Sequence, residues 1–247
     1  MKTTRKQGFT MIEMLVVIVI IGILAGSLFG PVTNFMLQGN LTGMMGNGRK
    51  IVQAIIAADM SGNYESVAWP ADENADDDSE SDGNFPKMNQ SFSTSAQYFN
   101  EALFMKETDV TRRNRLKVLK DIEPSTIAGQ GIPAATKGTI EDKNCAWSIA
   151  KNSANAPAVA PVLVTRNVNV ALADMKGNAQ GDYTTILNTQ KPFQQDGCVI
   201  IYKDGSGKKF AADEVTPKNI MGDIGDKSLK EFKQGDASFE FLKCGSN

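Results

Sequence analysis

The 247-residue sequence contains no histidine. That absence excludes the side chain that most often acts as a general base near neutral pH, together with Ser-His and Cys-His nucleophilic pairs. Three cysteines without histidine cannot form an ordinary four-coordinate zinc site unless a carboxylate joins them. No phosphate-binding loop, nucleophile elbow or internal repeat occurs in the sequence. We therefore expect a protein that is not an enzyme and needs no cofactor, with calcium as the one exception considered below.

The sequence also lacks an excess of either charge, with 26 Lys and Arg against 28 Asp and Glu. This balance argues against a general nucleic-acid partner. The main concentration of positive charge lies in residues 111–124, where basic and apolar residues alternate. We interpret that stretch as a solvated amphipathic helix, with an intersubunit or ligand-facing basic patch as the alternative.

A long apolar run stands near the N-terminus. Residues 9–37 carry one formal charge, Glu13, and follow a leader at residues 1–8 that holds three basic residues and no acid. About 20 apolar residues suffice to span a bilayer, and the basic leader predicts a cytoplasmic N-terminus. An ordinary cleaved signal ending within residues 23–30 is the alternative, but the apolar run continues past Pro31.

The stretch KQG-FTMIEMLVVIVIIGILA resembles the class III signal of type IV prepilins and type II secretion pseudopilins. The matching features are the short basic leader, Gly8, Phe9, and Glu13 five residues into the processed chain. The resemblance covers about residues 1–60. It implies that a prepilin peptidase cleaves between Gly8 and Phe9 and methylates the new amine of Phe9. It also implies that Glu13 pairs with the N-terminal amine of a neighbouring subunit, which would give a partner to a carboxylate that costs roughly 3 kcal/mol in a bilayer.

The resemblance implies an α+β fold, in which a long N-terminal helix packs on a C-terminal antiparallel sheet. We divide the chain into a leader peptide (1–8), an N-terminal helix whose first half is transmembrane (9–60), and an exported globular domain (61–247). The implied protein is a pilin or pseudopilin. It would be inserted in the inner membrane as a single-pass precursor and would then assemble with copies of itself and related subunits into a helical filament in the periplasm or on the cell surface.

The implied partners are the peptidase, an assembly ATPase and a platform protein. Two alternatives remain open: a minor tip or initiator pseudopilin, and a singly membrane-anchored extracytoplasmic binding protein or enzyme.

Small residues recur inside the apolar run. Gly22, Gly26 and Gly30 have four-residue spacing, which predicts one helix face that neighbouring helices can approach closely. Pro31 lacks a backbone donor and is expected to kink or locally open the helix. The glycine-rich residues 37–48 then predict a weak helix that is either flexible or held by neighbouring subunits. After it, the apolar periodicity from residue 49 predicts packing on the globular domain.

Residues 69–85 contain seven acidic residues and no basic residue, which is typical of a solvated loop. A sharper hypothesis is a calcium site, because Asp78, Glu80 and Asp82 precede a glycine in the manner of an EF-hand loop. Against it, glutamate is unusual at the second of these positions, and an asparagine stands where the closing glutamate would be.

All three cysteines, Cys145, Cys198 and Cys244, follow the membrane segment. In an exported domain they imply one disulfide and one leftover thiol. The three pairings are open, and we favour Cys198 with Cys244 because both stand at the ends of strand-like runs. Three reduced, partly buried cysteines are the alternative.

The rest of the domain is predicted to place a helix before several strands. Residues 93–105 have capping residues followed by apolar residues at helical spacing. The Asp-Gly pair within residues 202–210 predicts a β-hairpin. Runs of β-branched and aromatic residues bounded by turn residues occupy four stretches: 145–150, 160–170, 197–204 and 237–244.

Overall fold

The first element of the structure, a computed structural model, is a 50-residue helix, α1 (Met11–Met60). The residues described are 9–60, 69–72, 92–103, 122–134, 136, 140–181 and 183–244. The chain divides into two compact units, one ending at Gly39 and the other beginning at Asn40, so α1 contributes to both.

The second unit contains an antiparallel five-stranded sheet, whose strands are β1 (Trp147–Lys151), β2 (Pro161–Thr165), β3 (Gly197–Tyr202), β4 (Gly207–Ala211) and β7 (Glu240–Phe241). Their order across the sheet is β4-β3-β2-β1-β7. Four strands form a meander, and the chain then returns to add β7 beside β1, where Ala150 pairs with Phe241. This layout confirms the predicted α+β fold with a long N-terminal helix and an antiparallel sheet.

A separate two-stranded ribbon, β5 (Lys233–Gln234) with β6 (Ala237–Ser238), precedes β7. The single strand predicted at 237–244 is therefore two short strands in different sheets, β6 and β7. Phe239 lies between these strands, belongs to neither and is fully buried. The predicted hairpin at 202–210 is confirmed: β3 and β4 pair, and Gly205 has a φ of +81°, a conformation that favours glycine.

Short helices surround the sheet. The predicted helix near residues 93–105 is confirmed as α2 (Ser95–Leu103), whose Tyr98 and Phe99 are buried. The Ser95 hydroxyl donates to the Leu242 carbonyl at 2.9 Å and accepts from the Ile149 amide at 3.1 Å, so it ties α2 to the β1–β7 edge. The other α-helices are α3 (Pro124–Ile127), α4 (Tyr183–Ile186) and α5 (Pro217–Met221). Short 3-10 turns occupy Asp142–Asn144, Val170–Asp174, Ala212–Glu214, Gly222–Ile224 and Leu229–Glu231.

The second half of α1 packs within the globular unit. Leu41, Ile51 and Ile55 are fully buried, which confirms the predicted packing of the helix from residue 49 onward. The expectation that residues 37–48 form a weak helix, flexible or held by other subunits, is wrong for its part beyond Asn40. There, α1 is uninterrupted, and its own domain buries Leu41, Met44 and Gly48. Tertiary packing stabilises this part of the helix, although its glycines have low helix propensity.

Gly48 is a point of close contact between α1 and the sheet. A Cβ atom added there would lie 2.7 Å from Trp147 Cη2 and 2.7 Å from Ile201 Cγ1. Both neighbours are fully buried, and the Trp147 indole donates to the Thr126 carbonyl at 3.1 Å. This glycine therefore permits a close helix–sheet contact that a side chain would prevent.

Candidate functional site: the exposed apolar helix and its single charge

The first half of α1 presents apolar side chains that no other described part of the chain covers. Met11 is 92% exposed, Ile23 is 67% exposed and Phe35 is 76% exposed. By length and composition, the helix is suited to crossing a bilayer. Exposed apolar surface of this extent marks a site for membrane or protein contact. We take this surface, residues 9–36, as the candidate functional site and call it the apolar segment.

Glu13 carries the only charge of the apolar segment. Its Oε2 accepts hydrogen bonds from the Thr10 amide at 2.7 Å and from the Thr10 hydroxyl at 2.8 Å. The Thr10 hydroxyl in turn accepts a hydrogen bond from the Glu13 amide at 3.3 Å. These reciprocal bonds form a capping box, which satisfies free amides at the start of α1. Sequence reasoning missed this local partner, although the Thr-x-x-Glu pattern signals it.

Gly22 and Gly26 lie on the surface of the apolar segment. A Cβ atom added at Gly22 or Gly26 would meet nothing within 4 Å. Their role in packing neighbouring helices, together with Gly30, stays a prediction. α1 runs through Pro31 without interruption, and the kink or local opening expected there stays a prediction. A proline removes one backbone hydrogen bond, and the turns on either side keep the helix continuous.

Two sets of predicted residues fall outside the described ranges. Gly8, on the leader side of the predicted cleavage site, precedes the first described residue, Phe9. Asp78, Glu80 and Asp82 of the predicted calcium site also lie outside them. Within the described ranges, no cluster of three or more metal-ligating side chains occurs.

The favoured disulfide between Cys198 and Cys244 is wrong in this structure. All three cysteines are free and buried. Cys198 lies on β3, whereas Cys244 follows β7, and β2 and β1 stand between these strands. Three strand spacings amount to about 14 Å, twice the separation of Cα atoms that a disulfide can bridge. Cys244 instead contacts Cys145, with its Sγ 3.0 Å from the Cys145 carbonyl oxygen.

The globular unit also has a polar cleft of about 460 Å³ on the side where β1 begins. Arg166 lines it and donates to the Gln190 side chain and the Asp142 carbonyl, both at 3.1 Å. No ion pair joins Arg166 to a carboxylate among the residues that the structure describes. The cleft also contains Lys243 and several amide and hydroxyl groups.

A long apolar helix followed by an antiparallel sheet is the layout of a pilin-like fold. Residues 3–29 match the prokaryotic N-terminal methylation motif. This match supports the class III signal of type IV pilins and pseudopilins that the sequence indicated. No curated protein and no solved structure matches the chain. The motif and the apolar helix together fit a membrane-anchored, pilin-like protein that a prepilin peptidase processes, with a structural rather than a catalytic role.

Proposed function

We propose that this chain is a subunit of a type IV pilin-like filament, either a pilin or a pseudopilin. One combined observation carries the proposal: the methylation motif opens a helix whose apolar segment is exposed and has a single charge, Glu13, near its start. A membrane anchor needs the apolar residues and can use the Glu13 carboxylate only as a helix cap, although that charge costs roughly 3 kcal/mol in a bilayer. A polymer needs both.

The proposed assembly step uses the amine that processing creates. The peptidase cleaves between Gly8 and Phe9 and methylates the Phe9 amine, and the Glu13 carboxylate of a neighbouring subunit then pairs with that amine. In the capping box both hydrogen bonds from Thr10 reach Oε2, and Oε1 accepts none from any described residue. The carboxylate can therefore bind a second donor without releasing the helix N-terminus, and a charge-assisted hydrogen bond is stronger than a neutral one.

The proposed topology is a single span of the inner membrane with a cytoplasmic N-terminus, which the basic leader residues favour. The globular unit would then be exported to the periplasm or the cell surface. Its partners would be copies of itself, related pilin subunits, the prepilin peptidase and the assembly machinery. The balance of positive and negative charges does not indicate a nucleic-acid partner.

Mass spectrometry of the mature chain tests the processing step: the N-terminus should be Phe9 carrying one additional methyl group. Glu13→Ala should leave this processing intact and abolish filaments, because the charged partner of the amine is lost. Electron microscopy of sheared surface fractions and crosslinking of adjacent subunits measure assembly.

Thr10→Val is the matched control for helix capping, since it removes the hydroxyl bonds of the capping box and keeps the Glu13 carboxylate. We expect this variant to be processed and to assemble. Equal loss of filaments in Thr10→Val and Glu13→Ala would show that Glu13 acts only as a helix cap. A chain found only as membrane monomers, unchanged when the peptidase is deleted, would overturn the filament proposal.

The polar cleft favours a second candidate, a singly anchored binding protein. The cleft is lined by two cations, Arg166 and Lys243, by one acidic residue, Asp142, and by neutral hydrogen-bonding groups, and this excess of positive charge suits a small anionic ligand. This candidate predicts that Glu13→Ala leaves the function of the chain unchanged, whereas the filament proposal predicts its loss.

Calcium binding by Asp78, Glu80 and Asp82 is a further proposal, supported by the alternation of carboxylates before a glycine. Isothermal titration of the purified chain with millimolar calcium should release or absorb heat. Replacing the three acids with their amides should remove that signal, and an absence of heat from the unmodified chain would rule the site out.

A further inference from the structure

The polar cleft of the globular unit lies where three strands of the sheet meet at one end. β1 begins where β2 and β7 end, because β1 is antiparallel to both of these neighbours. Ser148 on β1, Arg166 directly after β2 and Lys243 two residues after β7 therefore line one cleft. Its volume of about 460 Å³ is large enough for a small polar molecule.

The Arg166 guanidinium is held in place and keeps unused donors. Its Nε donates to Gln190 Oε1 and its Nη1 donates to the Asp142 carbonyl oxygen, both at 3.1 Å. Both acceptors are neutral, so they orient the guanidinium without neutralising its charge. A guanidinium has five N–H groups, and the two on Nη2 have no acceptor among the residues that the structure describes. An oxyanion that binds there meets a donor whose orientation is already fixed, which lowers the entropic cost of binding.

The neutral groups of the cleft also offer donors. Ser148 is 1% exposed, and its hydroxyl has no hydrogen-bond partner in the described part of the chain. The side-chain oxygen of Asn169 accepts from the Ala171 amide at 3.0 Å, and that of Asn188 accepts from the Gln190 amide at 2.8 Å. The NH₂ groups of these two asparagines are left for a ligand. Because buried polar groups are stable only when they are hydrogen-bonded, this lining suits a ligand that is rich in oxygen acceptors.

The charges that line the cleft favour a singly charged anion. Arg166 and Lys243 are positive and Asp142 is negative, which leaves an excess of one positive charge. A carboxylate carries one negative charge, and its two oxygens match the planar fork of a guanidinium. A phosphate dianion brings a second negative charge, which the Asp142 carboxylate repels. That carboxylate can instead accept a hydrogen bond from a hydroxyl group of the ligand.

We propose that the cleft binds a small hydroxylated monocarboxylate of the sugar-acid class. Its carboxylate pairs with Arg166 and Lys243, and its hydroxyl groups bind Asp142 and the neutral donors. The inference rests on the second candidate function, ligand binding at this cleft, and does not depend on filament assembly. A free sugar acid and a sugar-acid residue of an acidic polysaccharide present the same chemistry to the cleft.

Isothermal titration of the full chain in detergent micelles, at constant ionic strength, tests the proposed ligand class. The probes are sodium galacturonate, galactose, which lacks the carboxylate, and inorganic phosphate. We expect galacturonate to bind, and galactose to bind at least roughly 10-fold more weakly because the charge-assisted hydrogen bonds are lost. Phosphate that binds as tightly as galacturonate would overturn the proposed class and leave the second candidate function standing. No heat from any of the three probes would overturn both.

Single substitutions place the binding in the cleft. Arg166→Gln should raise the Kd for galacturonate by roughly 10- to 100-fold, and Ser148→Ala by roughly 2- to 10-fold. Ser148→Ala removes a hydroxyl that has no partner in the described part of the chain, so it tests the cleft even if Arg166→Gln fails to fold. Asp142→Asn keeps the backbone carbonyl that holds Arg166 and should tighten the binding of phosphate, because the repulsion is removed.

Lys218→Gln is the matched control for charge, since Lys218 is exposed on α5 and does not line the cleft. It should leave the Kd unchanged. A loss of affinity in Lys218→Gln equal to that in Arg166→Gln would show attraction by the overall charge and overturn the proposal. An unchanged Kd in both Ser148→Ala and Arg166→Gln would also overturn it.

Polygalacturonate, compared with galacturonate at equal carboxylate concentration, distinguishes the two sources of the ligand. Tighter binding of the polymer identifies a polysaccharide, and equal or weaker binding identifies the free acid; either result supports the proposed chemistry when Arg166→Gln abolishes it. Glu13→Ala should bind galacturonate as the unmodified chain does, so a failure of the filament proposal leaves this binding in place. Loss of binding in Glu13→Ala would overturn the assignment to the cleft.

Discussion

Replacing Gly48 with alanine should destabilise the globular unit, although alanine is the better helix former. The new methyl carbon would lie 2.7 Å from Trp147 and 2.7 Å from Ile201, well inside normal contact distance. The Trp147 ring cannot swing aside easily, because it is fully buried and its indole is hydrogen-bonded to the Thr126 carbonyl. Overpacking of this kind costs about 1–3 kcal/mol, against up to about 1 kcal/mol gained from helix propensity. We expect a net loss of about 1 kcal/mol.

Gly46 provides the matched control two residues earlier on the same helix. It is exposed, and a Cβ atom added there would meet nothing within 4 Å. Gly46→Ala should therefore stabilise the chain by up to about 1 kcal/mol, through helix propensity alone. Urea unfolding of the full chain in detergent micelles, followed by tryptophan fluorescence, measures both variants. A Gly48→Ala variant as stable as Gly46→Ala would refute the close-packing argument.

Three further predictions concern groups buried in the globular unit. The Tyr202 hydroxyl donates to the Ile220 carbonyl at 2.9 Å, so Tyr202→Phe should lower the free energy of unfolding by about 1 kcal/mol; an unchanged urea midpoint would contradict this. Ser95→Ala removes both hydrogen bonds that tie α2 to the β1–β7 edge and should cost about 2 kcal/mol in the same assay, more than Tyr202→Phe. Burial raises the pKa of Tyr98 and Tyr202 above the ordinary tyrosine value of about 10, so the folded state holds the phenolic protons more tightly than the unfolded state. Stability from this source is complete below about pH 10 and falls as the pH rises above it, and a urea midpoint that stays flat in that range would count against the buried positions of both rings.

Much of the candidate site could be predicted from the sequence because its residues lie close together along the chain. The leader, Gly8, Phe9 and Glu13 lie within a few residues of one another, and the apolar segment follows directly. The match of residues 3–29 to the N-terminal methylation motif confirms the resemblance to a class III prepilin signal. The capping box between Thr10 and Glu13 is equally predictable, since its partners are three residues apart, although the resemblance assigns the carboxylate only an intersubunit role.

By itself the sequence determined the membrane-type helix, the strands of the meander and the Asp-Gly hairpin, because periodicity and turn chemistry act over a few residues. Only the tertiary structure decided which cysteines meet and why Gly48 is a glycine. Both depend on strand order: β7 returns to the free edge of β1 and brings Cys244 to Cys145, and the helix lies against Trp147 and Ile201. Contacts between residues about 100 positions apart leave no periodic mark in the sequence, so the pairing inferred from the ends of strand-like runs joins two cysteines that the strand order keeps apart.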